Sequence, residues 1–398
     1  MHCSNQLQRS RLIWLKKDDA NSKFFHGLMS SRRRVNALSY VVVNNVVVEG
    51  VHGIREAMFN HFENHFRSFN SISGEDAYHL ERLFDEEKVK QAVWECDSLK
   101  SPGPDGVNFG FIKEFWADVK GDFMRFLLEF YANSRLVKGS NCTFIVLIPK
   151  AKSVIDKVIS ETQSTFIKGR QILDGILIAN EAVDDVKKRK KELLLFKVDF
   201  EKAYDSVEWD YLDSVMGKMG FSEKWRRWIM TCVSSATASV LVNGSPTNEF
   251  KLGRGLRQGD PLPPFLFLIA AEGLNVMLKA SVPVGLYKGY QVGSDVSTTT
   301  RISHLQFADD TLIVGEKSWA NIRVLKANFI LFELISGLKV NFHKSLLVGV
   351  NISEAWLVDA ARVLNCKLGR IPFLYPGLPI GGDERHLSFW SGLWIKFA

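Results

Sequence analysis

The segment HLQFADDTLIVG (304–315) sets Asp309 beside Asp310 in a run whose Leu305, Phe307, Leu312, Ile313 and Val314 ask for burial. Two ionised carboxylates about 4 Å apart repel by roughly 4 kcal/mol at an effective dielectric of 20. Either one holds a proton, or both turn to water, or a cation lies between them. A third carboxylate, Asp199, stands 110 positions earlier in the apolar run of LLLFKVDFEKAYDSVEW. If the 193–200 strand and the 301–315 hairpin are neighbours in one sheet, the three acids meet on rigid strand ends. Such a group takes hard divalent cations through oxygen. Two such ions about 3.5–4 Å apart clamp the attacking and leaving oxygens of phosphoryl transfer. For the Asp309–Asp310 pair alone, a solvated turn is the competing account.

Two further stretches bear on the choice. Tyr204 follows Asp199 by five positions, and an aromatic ring there can floor a sugar pocket and exclude a 2′-hydroxyl; an ordinary core tyrosine is the alternative. In GRGLRQGDPLPPFLF (253–267), Gly255 and Gly259 let the backbone approach a ligand, Gln258 offers an amide, and Arg254 and Arg257 offer cations for phosphates. The plainer reading is a loop capped by Asp260, with Pro261 opening a helix.

The elements that must position these residues are legible in outline. Leu193–Phe200 reads as a buried strand, Val207–Met219 and Lys224–Ser234 as helices, and Ala238–Val242 with Glu249–Leu252 as a hairpin. Phe265–Lys279 reads as a helix, and Arg301–Phe307 with Thr311–Gly315 as a hairpin bent at 308–310. Ile322, Leu325, Phe329 and Phe332 recur at helical spacing, and Ser345–Val350 is a strand. Upstream, 38–51 reads as a hairpin about Asn44-Asn45, SPGPDG (101–106) as a turn, and Asp85–Asp97, Phe109–Trp116 and Gly121–Ser134 as helices. Phe144–Ile148 reads as a short strand ending at Pro149. The order implies an α+β unit, an antiparallel sheet with helices on one face.

Composition bounds the class. The chain has 398 residues, 46% hydrophobic and 24% charged, which suits a globular protein of two or three compact units. Its five scattered cysteines form no CxxC pair and suggest a reduced, intracellular protein without a disulfide frame. The first residues lack a signal-peptide core, and Phe265–Ala271 is too short to span a bilayer, so neither secretion nor a membrane is expected. The net charge is +7, and residues 1–40 hold eight Lys or Arg against Asp18 and Asp19. Such an arm suits a polyanion. KKRKK (187–191) reads as a solvated turn, with a nuclear signal as the alternative.

The ordered set KVDFEKAYDSVEW, GLRQGDPLPPFLF, QFADDTLIV and GLKVNFHKS resembles motifs A, B, C and D of the reverse transcriptase palm. More narrowly, the chain is similar to the LINE-type (non-LTR) retrotransposons of plants. The stretches at 10–36, KSPGPDGVNFGFIKEFW (100–116), FIVLIPK (144–150), QSTFIKGRQILDGILIANE (163–181) and PFLYPGLPIGG (372–382) agree. The resemblance implies a right-hand polymerase palm with partial fingers and a thumb largely missing. It divides the chain into a basic linker region (1–84), a fingers-like region (85–192), a palm (193–350) and a post-palm segment (351–398). It implies that Asp199, Asp309 and Asp310 hold two Mg²⁺ and that Tyr204 is a steric gate. Gln258, Gly259 and Arg257 would face the incoming nucleotide, Lys344 would protonate the leaving pyrophosphate, and Lys150 would lie near the triphosphate. The partners implied are an RNA template, a DNA primer and dNTPs, in a nuclear or cytoplasmic nucleoprotein.

The chain departs from that pattern between Lys150 and Gln163. In the family several tens of residues, including a triphosphate-gripping arginine, separate these positions; here they are 13 apart with no arginine between them. This reads as an in-frame internal deletion that costs a phosphate clamp. Pro263 and Pro376 are smaller departures. The expectation is an RNA-directed DNA polymerase domain with impaired activity. A non-catalytic remnant that binds nucleic acid is the second reading, and a two-metal nuclease, disfavoured by Tyr204 and RQGDP, the third.

Overall fold

We analysed a computed structural model of the chain, which describes residues 69–98, 108–136, 143–235, most of 237–257, 262–293 and 300–382, together with the backbone of 40–43 and 46–49. The SPGPDG turn, the basic arm, Gln258 and Gly259 lie outside the described residues. The chain divides into two units, 1–55 and 56–398. In the first, β1 (Tyr40–Val43) and β2 (Val46–Glu49) form the antiparallel hairpin expected from the Val runs flanking Asn44-Asn45.

In the second unit, α1 (Gly74–Leu80) starts at a capping box: the Ser73 hydroxyl accepts from the Asp76 amide, and the Asp76 carboxylate accepts from Ser73. α2 (Glu86–Trp94) is capped by Asp85. α3 (Phe109–Glu114) and α4 (Trp116–Asn133) follow, α4 running straight through Gly121. The stretch expected as a strand, Phe144–Ile148, is instead part of helix α5 (Thr143–Lys152), with Pro149 inside it. A short apolar run suits a buried helix as well as a strand. Here α5 packs on α2 and α1, with Leu147 and Ile148 buried. After α6 (Ile155–Val158) an irregular segment of turns and bends, here called the strap, leads to α7 (Ile172–Arg189).

The segments that carry Asp199, Asp309–Asp310 and Lys344 run into the strands of one five-stranded sheet. Its strands are β3 (Leu193–Val198), β10 (His304–Phe307), β11 (Asp310–Gly315), β12 (Leu346–Val350) and β13 (Lys367–Leu368), in the order β10-β11-β3-β12-β13. All pairs are antiparallel except β12–β13, so the sheet is mixed rather than antiparallel throughout. Between these strands come α8 (Ala203–Ser206), α9 (Trp209–Lys218), α10 (Glu223–Ser234), α11 (Pro263–Ser281) and α12 (Trp319–Ser336). They are joined by short strands β4 (Thr237–Ala238), β5 (Leu241–Val242), β6 (Ser245–Pro246), β7 (Phe250–Lys251), β8 (Tyr290–Val292) and β9 (Thr300–Ile302). α13 (Glu354–Leu364) and the hairpin β14 (Phe373–Tyr375) and β15 (Leu378–Ile380) close the described fold.

Helices cover both faces of the sheet, not one. Leu193–Phe196 are all buried, and a strand with no exposed face needs cover on each side. On one side Leu193, Leu195, Leu312, Val314 and Val348 share a core with Ile176, Ala179, Val183 and Val186 of α7 and with the β14–β15 hairpin. On the other, Phe196 meets Phe329 of α12 at 6.0 Å between ring centroids. Each such fully buried side chain contributes about 1.5–3 kcal/mol. Thus α7, expected with the fingers, packs on this sheet together with the β14–β15 hairpin, and β13, expected with the start of the thumb, is one of its strands.

α11 is 19 residues long and apolar enough to cross a membrane by length and composition, longer than its Phe265–Ala271 core suggested, but 89% of it is buried inside the fold. Its Glu272, Asn275 and Lys279 bond to residues of the strap.

Candidate active site

The register answers the question raised by the paired aspartates. Thr311 pairs with Val198 and Phe307 with Asp310. The β11–β3 ladder ends at that Thr311–Val198 pair, and Asp310 and Asp199 are the next residues beyond it. Asp309 is exposed at the bend, while Asp199 and Asp310 are half-buried. The two strand ends therefore meet. Among the described residues, however, no three His, Cys, Asp or Glu side chains are grouped to hold a metal ion. Strand pairing thus brings the two chain segments together, while the side chains form no metal-holding group among the described residues.

The main chain of Asp199 is held from the segment that bears Lys344. The Asp199 amide donates to Ser345 Oγ at 3.0 Å, Asn341 N donates to the Asp199 carbonyl at 2.7 Å, and Ser345 Oγ donates to Asn341 O at 2.9 Å. Lys344 is exposed in this same turn. Tyr204 stacks on Phe267 of α11, 4.6 Å between centroids and 22° between planes. Burial, helped by the nearby Asp309 charge, pushes its phenol up to about 12, so it stays a neutral wall.

The loop before α11 docks on the Tyr204 turn. Gly255 N donates to Val207 O at 2.8 Å, Leu256 N to Tyr204 O at 2.7 Å, and the Trp209 indole to Gly255 O at 2.8 Å. Gly255 has φ +89°, and a Cβ there would lie 2.6 Å from the Asp205 carbonyl oxygen. Gly255→Ala should therefore cost at least about 1–2 kcal/mol from backbone strain alone, read as a lower denaturant midpoint. Arg257 is half-buried in this loop, and Arg254 pairs with Glu208 at 3.1 Å.

Lys150 is not brought to the carboxylates. Its Nζ donates to the carbonyls of Leu80 (2.9 Å) and Arg82 (2.5 Å) at the end of α1, and lies over the rings of Phe84 and Trp228. Burial first, then the charges of Lys88 and Lys224, lowers its pKa to about 8. A lysine capping a helix C-terminus is the plain account of this geometry.

Sequence reading passed over two sets of residues. Tyr375 Oη donates to Leu305 O at 3.0 Å and to Asp310 O at 3.3 Å, tying the post-palm hairpin to the aspartate turn; the aromatic in PFLYPG was the available signal. The second is a buried polar network. Ser160 donates through N and Oγ to Glu272, Asn275 Nδ2 donates to Glu272 and Ser160, and Asn275 Oδ1 accepts from Thr162 and from His304 Nε2. Burial raises the pKa of Glu272. Because Asn275 offers its oxygen, His304 carries its proton on Nε2, and Nδ1 accepts from Ser303 Oγ.

Burial, reinforced by the Lys279 charge, pushes His304 down to about 3. A folded-state pKa below the unfolded value of about 6.5 contributes stability above pH 6.5 that is lost as pH falls toward 3. His304 should thus add a slope of about 1.4 kcal/mol per pH unit in that window. The raised Glu272 acts with opposite sign, from its ordinary carboxylate range upward. Urea unfolding of His304→Gln between pH 7 and 4 should lack the histidine slope.

Comparison with known proteins agrees with this arrangement. The family described as reverse transcriptase (RNA-dependent DNA polymerase) matches residues 142–367. The chain is 24% identical to the transposon TX1 149 kDa protein of Xenopus laevis over 96% of its own length and 32% of that protein. It is 27% identical to the Pol polyprotein of the type-1 retrotransposable element R2 of Popillia japonica, over 47% of this chain and 26% of that one. A mitochondrial protein of Arabidopsis thaliana, AtMg01250, is 41% identical over 18% of the chain and 56% of its own length. The chain thus spans about a third or less of the transposon proteins it matches. Among solved structures, apo telomerase from Candida tropicalis, truncated of its C-terminal domain, aligns with a TM-score of 0.42 at 14% identity, over 66% of this chain and 46% of that one. With its family match spanning more than half the chain and lying over the sheet, the aspartate turn and the Tyr204 loop, this chain belongs to the reverse transcriptase (RNA-dependent DNA polymerase) family.

Proposed function

We propose that the chain is the reverse transcriptase domain of a LINE-type (non-LTR) retrotransposon polyprotein, extending a DNA primer on an RNA template. The reading rests above all on the pairing of β11 with β3, which ends at Thr311 and Val198, the residues next to Asp310 and Asp199. By the chemistry of their oxygens, Asp199, Asp309 and Asp310 would hold two Mg²⁺, their side chains being drawn together from the ungrouped arrangement described above. When bound, the ions supply charge neutralisation at the primer 3′-oxygen and the triphosphate.

The chain's own residues do the rest. The neutral Tyr204 ring, backed by Phe267, walls the sugar pocket against a 2′-hydroxyl. Arg257, Gln258 and Gly259 bind and orient the nucleotide. Lys344, exposed on the turn that grips Asp199, is placed to give a proton to the departing pyrophosphate. The basic arm of residues 1–40 serves the template backbone. Lys150, committed to the α1 carbonyls, takes no part, which supports low activity.

The test is primer extension by the full chain on a poly(A) template annealed to an oligo(dT) primer, with dTTP and Mg²⁺. The expected result is slow, metal-dependent extension that ceases in Asp309→Asn. Absence of extension at any protein concentration, with salt-sensitive RNA binding retained, would replace this reading with a non-catalytic nucleic-acid-binding remnant.

A further inference from the structure

The left-handed Ala308, φ +54°, immediately precedes the paired aspartates and is not a glycine. Something must hold it there, since an L-residue rarely adopts that conformation unaided. The holder comes from the strap. Gln306 N donates to Thr162 O at 2.8 Å, and Ser164 N donates to Gln306 O at 3.0 Å, so the strap adds one parallel bridge, Gln163 to Gln306, to the sheet's edge strand β10. Where β10 turns away, the side chain of Gln163 takes over. Its Oε1 accepts from Ala308 N at 2.9 Å and from Thr165 N at 3.3 Å, and its Nε2 faces Ala308 O at 3.4 Å. The side-chain amide thus stands in for a peptide group on both sides of Ala308.

Gln163 is itself fixed. It is 1% exposed. Arg170 Nη1 donates to the Ser160 and Gln163 carbonyls, at 2.5 and 2.7 Å, and Nη2 to Ile159 O at 3.0 Å. Glu272 and Asn275 of α11 grip Ser160 from the other side.

We propose that Gln163 is a positioning residue for the carboxylate site: its amide locks the backbone of Ala308 and so sets where Asp309 and Asp310 present their oxygens. The proposal rests on the catalytic reading above. A glutamine that merely filled space would hold the fold without deciding the geometry of that turn.

The experiment separates these roles on the full chain. Hydrogen exchange of peptides covering 304–311 and 346–350 reports the turn against a strand of the same sheet. Mn²⁺ binding, followed by the loss of the free-ion paramagnetic signal, reports the carboxylates without requiring turnover. In Gln163→Met, exchange over 304–311 should quicken tenfold or more with 346–350 unchanged, and Mn²⁺ affinity should fall by about 10–100-fold, the scale of supporting-residue losses at metal sites. Gln163→Asn keeps the amide but shortens its reach by one methylene, and should move both readouts the same way if Gln163→Met fails to fold. Unchanged exchange over 304–311 in both variants overturns the proposal, as does quickened exchange with unaltered Mn²⁺ affinity. If the wild type shows no Asp309-dependent Mn²⁺ binding, the catalytic reading fails and takes the site role with it, while exchange still reports whether the clamp exists.

Discussion

Asp199→Asn is expected to lower primer extension by roughly 1,000-fold, the equivalent of about 4 kcal/mol of transition-state stabilisation. The substitution keeps the shape of the side chain and removes one anionic oxygen from the donor set. What makes the test sharp is how Asp199 is anchored. The bonds that anchor it use its main chain: the amide donates to Ser345 Oγ, and the carbonyl accepts from Asn341 N. Neither involves the carboxylate. The unfolding free energy should therefore stay within about 0.5 kcal/mol of wild type while activity disappears. Extension retained within tenfold of wild type would mean that Asp199 does not serve the reaction.

Trp228→Ala carries the largest expected cost to stability, about 3–5 kcal/mol. Trp228 lies on α10, fully buried, and joins three parts of the structure. Its ring stands 5.9 Å from Phe84, 5.7 Å from Phe130 of α4, 5.5 Å from Tyr131 and 6.1 Å from Trp225. The ammonium groups of Lys150 and Lys224 lie over it, at 5.7 and 5.3 Å. Truncation removes the aromatic surface that these cations share and leaves a cavity that rigid helices close only in part. Chemical denaturation should show the loss in the midpoint. A cost under about 1 kcal/mol would show that the helices ahead of the strap close over the gap instead. With Trp228 gone, Lys150 keeps its carbonyl partners but loses part of its aromatic cover, so its amine should titrate nearer the ordinary lysine range.

Much of the chemistry was legible in the amino-acid order because it depends on local pattern. The pattern of HLQFADDTLIVG reads as a hairpin bent at Ala308–Asp310, and the apolar run ending at Asp199 reads as a buried strand, as observed. That the two are neighbours was only a condition of the sequence reading, and the structure meets it by pairing β11 with β3. The helix expected from Asp85 starts for the same local reason, through a side chain that satisfies a nearby amide.

Tertiary structure decided what local pattern leaves degenerate. FIVLI fits a strand or a helix equally, and contact with α2 settled it as helix. Lys150 has the same reach in either state. It caps α1 because Phe84 and Trp228, from distant parts of the chain, build an aromatic wall beside the free carbonyls of Leu80 and Arg82. The second face of the sheet is covered because α7 and the β14–β15 hairpin each carry an apolar stripe that only the folded chain brings together. Gln163 and Ala308 lie 145 positions apart. No spacing rule connects them, since the bond exists only once the strap has been laid along the edge strand. Sequence therefore determined which residues carry the charge and which segments must be buried, whereas the long-range hydrogen bonds that orient the charged turn arise from chain crossings that no local periodicity encodes.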